Sequence, residues 1–168
     1  MLPLPDFPAI LAALDAAKVR CVVIGGLAML AHGSDHNTQD IDICYARDVE
    51  NLTSLVGVLQ ALRAQLRTKS GPVPFALDVQ TFRNTLNLTL ETNLGAVDVL
   101  GEVAGVVSFD QLWSRSEIFD LYGVPVHVAS LDDLIAMKEA AGRLKDQSHI
   151  LELRALRKLL AADGPSSE

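Results

Sequence analysis

Cysteine is scarce in this chain, with two among 168 residues, Cys21 and Cys44. Both lie inside apolar runs that read as strands, so buried free thiols are expected and a disulfide framework is not. No apolar run approaches the ~20 residues that a bilayer-spanning helix needs. The opening residues, MLPLPDFPAI, carry no basic side chain and three prolines and do not resemble a secretory leader, so none is expected. Basic charge is short as well: 14 Lys and Arg stand against 21 Asp and Glu, a net charge of -7 at pH 7. A generic nucleic-acid binder carries a basic face, so this balance argues against that class and leaves room only for a local patch. Arg143, Lys145, Arg154, Arg157 and Lys158, gathered near the C-terminus, are where such a patch would lie. There is no internal repeat, low-complexity segment or linker. What remains is a cytoplasmic globular protein, 49% apolar, large enough to bury a core without disulfides or structural metal. The expected organisation is one domain over residues 1–162 and a disordered tail at 163–168.

Periodicity gives the elements. Apolar residues at Ile10, Leu11, Leu14 and Ala17 predict a helix over Phe7 to Val19. Val22 to Ile24 reads as a buried strand, Gly25-Gly26 as a turn, and the residues to about His32 as a short helix closed by Gly33. Ile41 to Tyr45 is a second strand. Asp48 is placed to cap a helix carrying Leu52, Leu55, Val56, Leu59 and Leu62. Thr68 to Pro74 reads as a loop. Leu86, Leu88 and Leu90 alternate with polar residues, the pattern of a half-buried strand, and Ala96 to Leu100 returns as its partner. A short helix at Phe109 to Ser114 precedes a hairpin, Ile118 to Leu121 and Val124 to Val128. Ser130 caps a further helix, with Asp133 three residues on completing something close to a capping box. A last helix covers about Asp146 to Leu160. This is an α/β (α+β) domain: a mixed β-sheet flanked by helices, with a C-terminal helical segment.

Three features could carry chemistry. Gly25-Gly26 sits between a strand and a helix, where glycine lets a phosphate approach the backbone and the helix start offers unpaired N–H groups. A tight turn needing glycine for geometry alone is the plainer account. Asp40 and Asp42, two apart on a strand, project from one face while Ile41 and Ile43 point the other way. Two carboxylates that close repel unless a cation neutralises them, and oxygen-liganded Mg²⁺ is the usual choice; solvated acids on an open face are the competing account. Asp98 lies mid-strand between Val97 and Val99. If its hairpin pairs beside the Ile41 strand, three carboxylates converge, enough for two metals. Glu91 and Asp78 are rival third acids without that setting.

Together these features resemble the nucleotidyltransferase superfamily of the DNA polymerase β type: a Gly-Gly or Gly-Ser turn, a spacer, an Asp-x-Asp pair, then a third acid on a neighbouring strand. The segment Leu131-Asp132-Asp133-Leu134-Ile135-Ala136-Met137-Lys138, followed by Gly142-Arg143-Leu144-Lys145-Asp146, is similar to the stand-alone branch that includes AbiEii-type and MenT-type toxins. The resemblance implies that Asp40, Asp42 and Asp98 bind two Mg²⁺ ions (or Mn²⁺) and that Asp98 helps activate the acceptor hydroxyl. It also implies that Gly25, Gly26, Thr38, Lys138 and Lys145 contact the nucleotide. Lys138 has independent support. It shares a helical stripe with Leu131, Leu134 and Ile135, so it is aimed inward, where an ammonium needs a carboxylate or phosphate partner. A lysine snorkelling over apolar surface is the alternative. Lys145 and Asp146 could equally serve as cap and ion pair at the start of the last helix. The branch pattern has arginine where His36 stands and an acid where His149 stands. His36 could still touch a phosphate when protonated.

The function so implied is transfer of a nucleoside monophosphate from an NTP (ATP among the candidates) to a hydroxyl on RNA or tRNA, a protein or a small molecule. The toxin-like branch adds a cognate antitoxin protein as a partner, and no membrane. The alternative from another class is a weak or inactive nucleotide-binding module that regulates a partner protein. Convergence of the three acids favours the enzyme; an Asp98 that points away favours the module.

Overall fold

Short polar side chains fix where most of the helices begin. The computed structural model describes residues 4–163. In chain order the elements are α1 (Phe7–Ala16), β1 (Cys21–Ile24), α2 (Gly25–Ala31), β2 (Asp40–Tyr45), α3 (Val49–Ala61), β3 (Gln65–Thr68), β4 (Gly71–Val73) and α4 (Val79–Asn84). There follow β5 (Asn87–Thr92), β6 (Gly95–Leu100), α5 (Phe109–Arg115), β7 (Glu117–Leu121), β8 (Val124–Val128), α6 (Leu131–Ala141) and α7 (Gln147–Ala162), with a 3₁₀ turn (Leu144–Asp146) before α7. Asp6, Asp48, Asp78, Ser108 and Ser130 each accept the N–H three residues on, at 2.8–3.1 Å, and so start α1, α3, α4, α5 and α6. Helix α2 follows extended Ile24 with no such side-chain cap.

The strands form one mixed eight-stranded sheet in the order β4-β3-β5-β6-β2-β1-β8-β7. Its centre is the parallel pair β2 and β6, with Ile41 beside Val97 and Ile43 beside Val99. Those four side chains are fully buried and, with Leu90 of β5, make the apolar face of the sheet. Val23 pairs with Ile43 and so shares that face, where it lines an apolar hollow together with Leu11 and Leu14 of α1. The alternate residues of the same strands, Asp40, Asp42 and Asp98, are left on the opposite face.

Three expectations need correcting. Thr68 to Pro74 is not simply a loop: β3 and β4 pair antiparallel, with Arg67 beside Pro72, a ladder too short to show alternation. Helix α4 was not anticipated at all. The capping box of α6 is half made: Ser130 bonds the Asp133 N–H, but the Asp133 carboxylate instead accepts from Arg115 at 3.3 Å. Both cysteines are free. Burial, aided by Cys44, pushes the Cys21 thiol up to about 12, and burial lifts Cys44 to about 11, so both stay protonated. Among the described residues no helix is long and apolar enough to cross a membrane. Of the tail expected at 163–168, only Asp163 lies among the described residues.

Candidate active site

The register of the central strands decides the site. Asp42 of β2 lies directly beside Asp98 of β6, and Asp40 is one step along the same face. One carboxylate oxygen from each can be chosen so that all three lie within 4.8 Å of one another, and all three residues are half-buried. The expected convergence is therefore present. Its electrostatic consequence is plain at Asp42: burial, then the charges of Asp40 and Asp98, push its carboxyl up to about 7. Burial also raises Asp98, against the pull of Arg67. Asp78 is not a member; it caps α4, and its bond to the Thr81 N–H holds it low.

The glycines are explained by what lies over them. Gly25 adopts φ +69°, and a Cβ there would stand 3.0 Å from Cγ of Asp42 and closer still to its carboxylate oxygen. At Gly26 a Cβ would fall 2.8 Å from Oγ1 of Thr38. The turn needs glycine because the second strand's side chains pack onto it. Thr38 in turn donates to the Asp40 carbonyl at 3.0 Å, fixing the chain as it enters β2.

A cleft of about 390 Å³ opens beside the acids, lined among others by Gly25, Asp42, Asp98, Met137, Lys138 and Arg143. That volume is in the range of small-molecule sites. Lys138 points inward as its stripe predicts, and it has a carboxylate partner: its Nζ lies 3.1 Å from Oδ1 of Asp146. Asp146 is only 2% exposed and also accepts from Nε of Arg143 at 2.6 Å. Burial works to raise this carboxyl, but the bonds from Arg143 and Lys138 outweigh it and hold it below its ordinary value. A separate apolar hollow of about 280 Å³, lined by Leu14, Val23, Trp113 and His127 among others, shares no residue with this cleft.

Residues 9–161 match the family described as nucleotidyltransferase of unknown function, DUF6036. The chain belongs to that family. Structures of ANT(2'')-Ia, an antibiotic-resistance factor, share the nucleotidyltransferase fold. The crystal structure with adenylyl-2''-tobramycin is 19% identical with a TM-score of 0.55, covering 92% of this chain and 87% of that one. The solution structure gives 18% and 0.54, over 92% and 82%. A candidate nucleotidyltransferase from Thermotoga maritima is 17% identical with a TM-score of 0.52, over 92% and 90%. At these identities the likeness shows the fold. No curated protein matches by sequence.

Within this nucleotidyltransferase the acids fit a divalent cation: the donors are hard oxygens, close together, and mutually repelling without one. The other residues expected at the site are placed unequally. Lys145 is exposed on the 3₁₀ turn and does not line the cleft; Arg143 does. His36 packs beside Gly26 and stacks edge-on against His149, ring centroids 4.4 Å apart. The two positions that depart from the toxin-branch pattern thus touch each other. Burial, then Lys138 and His36, lower the His149 pKa, which favours its neutral ring.

One residue at the site, Arg67, is not foreseen from the sequence. Arg67 of β3 reaches the triad, its Nη2 lying 2.5 Å from Oδ1 of Asp98. No strand is expected ahead of the Thr68 to Pro74 loop, so nothing aims Arg67 at the acids. Of the cap and ion-pair roles expected of Asp146, the structure shows the second: it makes no capping bond to α7 and is a buried counter-ion. A lysine on an inward stripe was the signal that such a carboxylate had to exist.

Proposed function

We propose that this protein transfers a nucleoside monophosphate from an NTP to a hydroxyl acceptor, with Asp40, Asp42 and Asp98 holding divalent metal, Mg²⁺ or Mn²⁺, in a two-ion site. The observation that carries the reading is the placing of Asp42 beside Asp98, with Asp40 in reach, at the mouth of a cleft that also holds Lys138 and Arg143. Bound metal there would supply Lewis acidity, lowering the pKa of the acceptor hydroxyl and offsetting phosphate charge. The chain's own residues do the rest. Gly25 and Gly26 present backbone N–H groups to the phosphates, His36 and Thr38 flank them, and Lys138 and Arg143 neutralise them from the other wall, a role Arg143 is better placed for than Lys145. Asp98 orients the acceptor hydroxyl and takes its proton. The acceptor oxygen bonds to the α-phosphorus as the bond to the β-phosphate breaks and pyrophosphate departs.

The excess of acidic residues favours a neutral or cationic acceptor, a small hydroxylated molecule or a protein side chain, over RNA or tRNA. The ANT(2'')-Ia complex, which holds an adenylylated tobramycin, supports a small-molecule acceptor as the first to try. A toxin of the AbiEii or MenT kind, restrained by an antitoxin protein, is the narrower form of this reading, supported by the Lys138 and Arg143-to-Asp146 pattern. Two free cysteines and a reaction that consumes NTP accord with a cytoplasmic setting. A single folded unit over residues 1–162 is part of the same proposal. The convergent acids weigh against an inactive regulatory module.

The test is incubation with labelled ATP, CTP, GTP or UTP and Mg²⁺, against aminoglycosides, total tRNA and cell lysate. Transfer that needs Mg²⁺ and vanishes in Asp42→Ala is the expected result. Transfer that survives the substitution, or no labelling of any acceptor, would overturn the mechanism.

A further inference from the structure

Among the described residues, Arg67 is the only basic side chain in ionic contact with the three acids. The contact runs through one nitrogen. Nη2 lies 2.5 Å from Oδ1 of Asp98 and 4.0 Å from Oδ2 of Asp40, while Nη1 finds only the Leu90 carbonyl at 3.4 Å. This is not the two-pronged grip by which arginine holds a carboxylate most firmly. One positive charge therefore stands, through one hydrogen bond, against three carboxylates.

What surrounds Arg67 gives it somewhere else to go. It lines a second cleft of about 220 Å³ on the far side of Asp40, shared with Gln39, Glu91 and Gly95 among others. Gln65 pairs directly with Glu91 across β3 and β5, and Arg67 lies two residues further along β3. The period of a strand puts Gln65, Arg67 and Glu91 on one sheet face, with Arg67 and Glu91 on the diagonal that long side chains span. Glu91 enters none of the ion pairs found among the described residues. A cation on one acid thus sits within a side-chain swing of an unpaired one.

We propose that Arg67 is an exchangeable internal counter-ion: it rests on Asp98 and Asp40 in the metal-free protein and moves to Glu91 when a divalent cation takes the carboxylates. This rests on the reading of the triad as a metal site. Arg67 is then a positioning residue. It holds the acids together against their own repulsion, and it competes with metal for them. Metal affinity is set partly by Glu91, a residue outside the ligand set, because Glu91 stabilises the displaced guanidinium.

The experiment is Mn²⁺ binding followed by electron paramagnetic resonance, with thermal melts with and without Mg²⁺, on wild type, Arg67→Met, Glu91→Gln and the double variant. Removing a competing charge at contact distance tightens Mn²⁺ binding in Arg67→Met by roughly tenfold or more, while its metal-free melting temperature falls. Glu91→Gln weakens Mn²⁺ binding in the wild-type background and has no effect once Arg67 is Met. Equal or weaker binding by Arg67→Met, with wild type binding normally, overturns the exchange and leaves the metal site standing. Binding by neither protein removes both ideas together. Should Arg67→Met fail to fold, Glu91→Gln decides alone: unchanged Mn²⁺ affinity overturns the proposal.

Discussion

Two clusters of buried charge lie on either side of one cleft, and they are built in opposite senses. On the sheet, three carboxylates share one arginine, held through a single nitrogen, and Asp42 is pushed up to about 7. At the start of α7 a single carboxylate, Asp146, is held by Lys138 and Arg143, with His149 at 3.7 Å, and stays below its ordinary value. The first cluster lacks cations and the second has them in surplus. A deficit of positive charge costs stability unless protons or a cation offset it, whereas a satisfied buried pair holds structure and aims its members. The contrast separates the group that would bind from the group that positions.

The largest effect should come from breaking the deficit. Asp42→Asn is expected to lower Mg²⁺-dependent nucleotide transfer at least ~100-fold while raising the melting temperature of the metal-free protein. The sign follows from the raised pKa. The unfolded chain ionises Asp42 near 3.8 and the folded chain only near 7, so metal-free stability is lost as pH rises between those values. Melts across pH 4 to 8 should show that loss in wild type, show less of it with saturating Mg²⁺, and show less in Asp42→Asn. A metal-free stability that rises through this window would contradict the comparison.

Breaking the surplus comes next. Asp146→Ala strands the Lys138 ammonium, which is 15% exposed, and should cost ~3 kcal/mol of unfolding free energy. Because the Asp146 pKa is lowered, the stability it gives is present above the unfolded value and is lost as pH falls below it, the reverse of Asp42. Gly25→Ala tests the join between glycine turn and acid. It forces a side chain into left-handed backbone under the Asp42 carboxylate, for a loss of about 1–3 kcal/mol and a weakened response to Mg²⁺. Lys138→Met should raise the KM for NTP by roughly tenfold with a smaller change in stability, since Arg143 still holds Asp146. Lys145→Ala, on the exposed turn, should leave both unchanged; a KM as altered as that of Lys138→Met would return it to the site.

The difference between the clusters also explains what the sequence shows directly. Asp40, Asp42 and Asp98 stand out because acids inside apolar strands contradict the local pattern, and strand periodicity then tells which face they share. Their meeting required only that β2 and β6 be neighbours, and they are, in the register that sets Asp42 beside Asp98. Helix starts at Asp48 and Ser130 are equally local and equally legible. Arg67 and Asp146 are ordinary charged residues in polar stretches, and their importance comes only from what the fold brings to them. Arg67 depends on the β3–β5 register, and Asp146 on α6 packing against the turn that follows it. The swap of an expected arginine and an expected acid for two histidines was visible, but their contact was not, because His36 and His149 lie in different halves of the chain.

The parallel pairing of β2 with β6 has a consequence for how the protein folds. Parallel strands cannot be joined by a hairpin; α3, β3, β4, α4 and β5 all intervene. Closing that long connection brings Asp42 against Asp98, so a step that costs chain entropy also creates most of the charge repulsion. Formation of the site is opposed by its own carboxylates. A divalent cation present during refolding should therefore lower the final barrier as well as deepen the native state, and refolding should slow as pH rises in its absence.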